Sequence, residues 1–99
     1  MRNSFAKAVG ELADSYPELV LLAGDIGNRL FDAYKERHPE RFYNCGVAEA
    51  SMTGIASGLA ATGMRPVTYT ITPFNTTRCL EQIRVDICYP NLTVIIVGT

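Results

Sequence analysis

Charge is scarce in this chain, and so are long apolar runs. Charged residues are 19% of the 99, against about 25% in an average domain. That shortfall points to further surface buried against a partner. Nine basic and ten acidic residues leave a net charge of −1 and are spread along the chain. With neither a basic stripe nor an acidic tail, nucleic acid and anionic membrane are poor partners. The longest apolar runs are about six residues, far short of the roughly 20 that span a bilayer. The opening Met1-Arg2-Asn3-Ser4-Phe5-Ala6-Lys7 has no apolar stretch of the kind a secretory signal carries. Cysteine is confined to Cys45, Cys79 and Cys88, an odd number without metal-ligand spacing. Reduced thiols in a cytoplasmic protein are the simplest reading. The lone histidine, His38, sits in the polar run 35–40 and reads as a solvated turn residue. No Ser–His–Asp arrangement is available, and no glycine loop of the Walker or dinucleotide type occurs. Repeats, low-complexity tracts and linkers are likewise missing, so residues 1–99 read as one domain.

What is present is an alternation of helical and strand patterns. Apolar residues are 47% of the chain, enough for a core. Phe5, Val9, Leu12, Ala13 and Tyr16 share one helical face, with Asn3 or Ser4 as its cap and Pro17 as its stop. Leu19-Val20-Leu21-Leu22-Ala23 is a short continuous apolar run, the mark of a strand buried on both faces. A short helix is expected over 30–37, a strand at Phe42-Tyr43-Asn44, and a helix over 47–62. That helix is built from small residues: Gly54, Ala56, Ser57, Gly58, Ala60 and Ala61. Each interior glycine costs a helix about 1 kcal/mol relative to alanine, so a close approach to the backbone is expected. A strand over 66–71, a helical stripe at Leu80, Ile83 and Ile87, and a strand over 92–97 complete the order. Strands separated by helices pair in parallel. The expected fold class is α/β, a three-layer α/β/α arrangement with a mainly parallel sheet. The chain stops at Gly98-Thr99, where a loop and a covering helix are expected, so the fold is expected to be incomplete there.

Ligands of open parallel sheets bind beyond the carboxyl ends of the strands. Three stretches fall there: residues 24–27, 44–49 and 72–75. Glu49 stands out, in the first turn of the small-residue helix. The plain reading is a glutamate favoured by the helix dipole, worth about 0.3–1 kcal/mol. The functional reading is a partly desolvated carboxyl that exchanges a proton with a ligand nitrogen.

The segment Phe42-Tyr43-Asn44-Cys45-Gly46-Val47-Ala48-Glu49-Ala50-Ser51-Met52 resembles the "G-I-A-E" segment of transketolases and their relatives. Gly54-Ile55-Ala56-Ser57-Gly58-Leu59-Ala60 is similar to the small-residue helix of that family, and Leu22-Ala23-Gly24-Asp25-Ile26 to its earlier strand exit. The resemblance implies the pyrimidine-binding domain of a thiamine-diphosphate enzyme. It implies that Glu49 is catalytic and hydrogen-bonds N1′ of the cofactor's aminopyrimidine ring. It places Asp25 and Ile26 on the cofactor as well. After the strand over 66–71 the family usually has aromatics that sandwich that ring. Here Phe74 is the one aromatic, a stacking residue or a core residue under a loop. Arg78 stands where deoxyxylulose-phosphate synthases also carry an arginine, as a substrate contact or a solvated residue; Tyr69 reads as core.

The family's diphosphate segment, which holds Mg2+, is missing from this chain. The resemblance therefore implies a homo-oligomer, or a heterotetramer with a diphosphate-binding subunit. The implied activity is transfer of a two-carbon ketol unit between sugars or sugar phosphates. The β subunit of a 2-oxo acid dehydrogenase, a deoxyxylulose-phosphate synthase, and a non-catalytic scaffolding or regulatory module of the same fold stay open beside it.

Overall fold

The computed structural model describes residues 1–99. Helix α1 (Arg2–Ser15) leads into strand β1 (Leu19–Ala23). Helix α2 (Asp32–Arg37) and a single 3-10 turn (Pro39–Arg41) precede β2 (Phe42–Asn44). Helix α3 (Glu49–Ala61) and β3 (Arg65–Thr70) follow. A short α4 (Thr72–Asn75), a 3-10 turn (Thr77–Cys79) and α5 (Leu80–Gln82) come next. The last runs on as a π-helix (Ile83–Cys88) before β4 (Ile95–Gly98).

The four strands form one sheet in the order β2-β1-β3-β4, and every pairing is parallel. β1 lies centrally, with Leu21 opposite both Phe42 and Val67. Alternate residues of β1 face opposite layers, as strand geometry requires. Leu19 and Leu21 join Val9 and Ala13 of α1, Phe31, Tyr34 of α2, and Val67 and Tyr69 of β3. Val20 and Leu22 pack on Met52 and Ala56 of α3. This is the three-layer α/β/α arrangement the alternating pattern calls for. Leu21 and Leu22 are both fully buried, and each such burial contributes about 1.5–3 kcal/mol. Tyr69 is core: it stacks on Phe5 at 5.5 Å and meets Phe31 edge-on at 5.0 Å. Its hydroxyl is the one buried side-chain polar atom without a partner.

Several boundaries differ from the sequence pattern for local reasons. α1 begins at Arg2 without a side-chain cap from Asn3 or Ser4. Its outer positions Leu12 and Tyr16 remain half exposed. α3 starts at Glu49 rather than at residue 47, because Gly46 takes φ +75° and Ala48, at φ −153° and ψ 64°, is not yet helical. β4 starts three residues after position 92, because the Leu92 N–H closes the preceding helix on Ile87 O at 2.9 Å. Of the stripe Leu80, Ile83 and Ile87, only Ile87 is buried, and Leu80 lies outside the core. His38 is not a solvated turn residue. Nε2 lies 2.6 Å from Asp14 Oδ1, and Nδ1 accepts from Arg41 Nη2 at 2.8 Å, which together tie α2 to the end of α1. No helix is long and apolar enough to cross a membrane.

The small-residue helix presents an unexpected face. Met52, Thr53 and Ala56 turn toward the sheet and are buried. Gly54 and Gly58 point the other way, and a Cβ at either would meet nothing within 4 Å. The close approach expected at these glycines is thus not supplied by this chain.

Candidate functional site

The carboxyl ends of β1 and β2 are joined by one side chain. Asn44, the last residue of β2, accepts the Asp25 backbone N–H at 3.1 Å and the Gly46 N–H at 3.0 Å on the same oxygen. Its amide nitrogen donates to Asp25 Oδ1 at 3.0 Å. Asp25 sits at φ +58°, a region an L-residue enters at a cost unless its surroundings hold it. Gly24 is where β1 must pass close to β3: a Cβ there would lie 2.9 Å from the Thr70 Cβ. An Asn placed at a strand end two residues before a glycine is the signature of a side-chain-closed turn. That signal was available in the sequence, and it identifies Asn44 as a residue of the site's frame.

From this turn the chain enters α3, and Glu49 is its first residue. Its side chain is 8% exposed, so it is nearly withdrawn from water at a helix N-terminus that favours negative charge. Arg78 approaches it from the turn after α4, with Nη1 3.7 Å from Glu49 Oε1. The same guanidinium lies over the Phe74 ring, its Cζ 3.9 Å from the ring centroid. An ion pair of that length with a half-exposed arginine contributes about 0–1 kcal/mol. A cation on an exposed aromatic face contributes about 0.5–1 kcal/mol. Three expected site residues, Glu49, Phe74 and Arg78, therefore converge from two segments of chain.

Phe74 is held from beneath. Asn75, its neighbour in α4, is buried and donates to Val97 O at 2.9 Å and to Thr68 Oγ1 at 3.2 Å. The Cys79 thiol reaches back to Phe74 O at 3.2 Å. Asn75 went unrecognised in the sequence, since nothing local distinguishes a buried staple from a solvated loop asparagine. Asp25 and Ile26 are not brought onto Glu49: neither hydrogen-bonds to it, and Ile26 packs partly buried toward the α1–α2 side of the sheet.

A planar N–C–N group thus lies over Phe74 with one nitrogen 3.7 Å from a Glu49 carboxylate oxygen. An aminopyrimidine ring presents the same features, a flat face and in-plane nitrogens, so these residues fit such a ring. No group of three His, Cys, Asp or Glu side chains comes together to hold a metal ion. The cavities along α1 lie elsewhere. One of 410 Å3 is bounded by Lys7, Glu11, Arg29, Tyr34 and Arg37, and holds none of the three converging residues. Burial raises the Cys45 thiol beside this turn above its ordinary pKa.

Residues 1–99 match the family model described as transketolase, pyrimidine binding domain. The chain is 39% identical over 100 aligned positions to a putative transketolase C-terminal section of Methanocaldococcus jannaschii, covering 100% of this chain and 32% of the relative. It is 35% identical over 94 positions to a 1-deoxy-D-xylulose-5-phosphate synthase of Dictyoglomus thermophilum, covering 94% of this chain and 15% of the relative. Among solved structures, a split gene transketolase described as an inactive β4 tetramer superposes with a TM-score of 0.88 at 37% identity. That match covers 98% of this chain and 33% of the other. The chain spans about a third or less of the length of these relatives.

Proposed function

The chain belongs to the transketolase pyrimidine-binding domain family, and from that premise we propose that it supplies the aminopyrimidine-binding half of a thiamine-diphosphate enzyme. The reaction we assign is transfer of a two-carbon ketol unit between sugar phosphates. The observation that carries this reading is the buried Glu49 carboxylate facing a planar nitrogen group on Phe74.

Thiamine diphosphate, when bound, supplies the carbon nucleophile of the reaction; the protein supplies position and electrostatics. Glu49 shares a proton with N1′ of the aminopyrimidine, and its low exposure keeps water from competing for that hydrogen bond. Phe74 stacks on the ring face. Asp25, held in place through Asn44, stands at the β1 end of the site, while Ile26 packs toward α1 and α2 and lies off the ring. Arg78, with half its side chain in solvent, offers a cation to an anionic substrate group. The diphosphate and its Mg2+ belong to a separate diphosphate-binding domain or subunit, in a homo-oligomer or a heterotetramer. The resemblance to split transketolases supports that assembly. The match to a deoxyxylulose-phosphate synthase favours a second reading, in which the same half-site serves that reaction.

The test uses the full-length protein assembled with its diphosphate-binding partner. Glu49→Gln keeps the shape but cannot share the acidic proton. Deuterium exchange at C2 of bound thiamine diphosphate is expected to slow by at least ~10²-fold, the scale of general acid–base catalysis. Turnover of a ketose phosphate donor is expected to fall with it. Undiminished exchange in the glutamine variant overturns the assignment of Glu49.

A further inference from the structure

Phe74 and Arg78 are only four residues apart, yet no regular helix joins them. Thr76 breaks the path at φ −123°, ψ −86°, and the chain folds Arg78 back over the ring. Short hydrogen bonds pin this fold. Thr76 Oγ1 donates to Thr72 O at 2.8 Å, Thr77 Oγ1 to Pro73 O at 3.1 Å, and the Cys79 thiol to Phe74 O at 3.2 Å. The turn is built by local chemistry, and its consequence is a guanidinium delivered to one place. That place is bounded by the Phe74 ring, 3.9 Å away, and by Glu49 Oε1, 3.7 Å away.

We propose that Arg78 is an intramolecular placeholder that competes with the aminopyrimidine ring for Phe74 and Glu49, and must swing out before the ring can seat. The proposal rests on the preceding assignment of those two residues to the ring. A guanidinium and an aminopyrimidine are both flat, both carry nitrogens in the plane, and both stack on an aromatic face. A ring seated on that face of Phe74 and bonded to that carboxylate oxygen cannot share them with the guanidinium. Arg78 also gives the nearly buried Glu49 carboxylate a partner when no ring is present, where an unpaired buried charge is costly. With 53% of its side chain exposed, Arg78 has solvent to move into once its contacts with Phe74 and Glu49 are released.

The two contacts together favour the seated conformer by about two- to thirtyfold. Apparent affinity falls in proportion to the fraction of molecules in the open conformer. Cofactor binding is therefore weaker than the site allows.

The experiment is a titration of thiamine diphosphate into the assembled full-length protein, wild type and Arg78→Ala, with thermal melts to verify that both are folded. The expected result is a dissociation constant about three- to thirtyfold lower in the variant. Crystal structures of the wild-type assembly without and with the cofactor supply the second readout. The guanidinium is expected over Phe74 in the first and displaced from it in the second. An equal or weaker affinity in Arg78→Ala overturns the placeholder, as does a guanidinium that stays on Phe74 with the cofactor bound. The Glu49→Gln exchange measurement separates the two claims. Slowed exchange with no tightening in Arg78→Ala removes the placeholder alone, and unslowed exchange removes the site beneath it.

Discussion

Asn44 and Asp25 hold each other across the β1–β2 edge. The Asn44 oxygen accepts the Asp25 N–H at 3.1 Å, and the Asn44 amide donates to the Asp25 carboxylate at 3.0 Å. The same oxygen takes the Gly46 N–H at 3.0 Å, so the turn that delivers Glu49 is part of the same clasp. Asn44→Ala removes all three bonds and frees a residue at positive φ. Stability is expected to fall by about 1–2 kcal/mol, since these groups can turn to water. Cofactor affinity is expected to weaken as well, because the entry to α3 loosens. Denaturant melts and a cofactor titration on the same variant check both. An unchanged affinity beside a lowered stability means the clasp serves folding alone.

The outward glycines of α3 set opposite expectations for the free chain and the assembly. Gly58 has open space around its Cβ position. Gly58→Ala is therefore expected to stabilise the chain by up to about 1 kcal/mol through helix propensity. Gly58→Leu places bulk on the face that the proposed assembly would bring close to a partner, where overpacking costs about 1–3 kcal/mol. Sedimentation of the full-length Leu variant is expected to show dissociating subunits and activity that falls on dilution. A Leu variant that sediments as the wild type does rules this face out as an interface.

Arg41 fastens the opposite end of the sheet. Its guanidinium donates to Ala13 O at 2.9 Å, Tyr16 O at 2.8 Å and Leu19 O at 3.0 Å. Those carbonyls are the end of α1 and the start of β1, which no intrahelical donor serves. Arg41→Ala is expected to cost about 3 kcal/mol, given charged donors lost from several partners. Arg41→Lys recovers little, because one ammonium cannot span the three oxygens. Cofactor affinity of the folded variant is expected to stay at the wild-type value, since Leu19 is at the far end of β1 from residues 24–27. A change in affinity without a change in stability overturns the structural role.

Tyr34 gives the protein an alkaline limit. Burial, outweighing the nearby Arg41 cation, pushes its hydroxyl from 10 up to about 12. The folded state therefore keeps this proton at a pH where the unfolded state has lost it. The contribution to stability is whole below pH 10 and is lost as pH climbs toward 12. Urea midpoints measured across that window are expected to fall, and in Tyr34→Phe the fall is expected to be smaller. Tyr34→Phe also gives up the hydrogen bond to Arg41 O at 3.2 Å, so its midpoint below pH 10 is expected to be slightly lower. Identical slopes in the two proteins show that another group governs the alkaline loss.

Much of this molecule was decided by interactions between residues close in sequence. The continuous apolar run at β1, the alternation of helix and strand, and Glu49 after the Gly46 turn all follow from local spacing and backbone chemistry. So does the parallel sheet, because each strand is separated from the next by helical chain. What only the tertiary structure decided lies between segments far apart in sequence. The order β2-β1-β3-β4 depends on which face each helix covers. Whether the α3 glycines point inward or outward depends on Met52 and Ala56 taking the sheet-facing side. His38 became a clamp because Asp14, 24 residues away, comes within 2.6 Å. Arg78 came to lie on Phe74 through a local turn. It met Glu49, however, only because α3 and the segment after β3 cover the same face of the sheet, and no periodicity in a one-dimensional pattern records that a side chain will meet a carboxylate from another crossover.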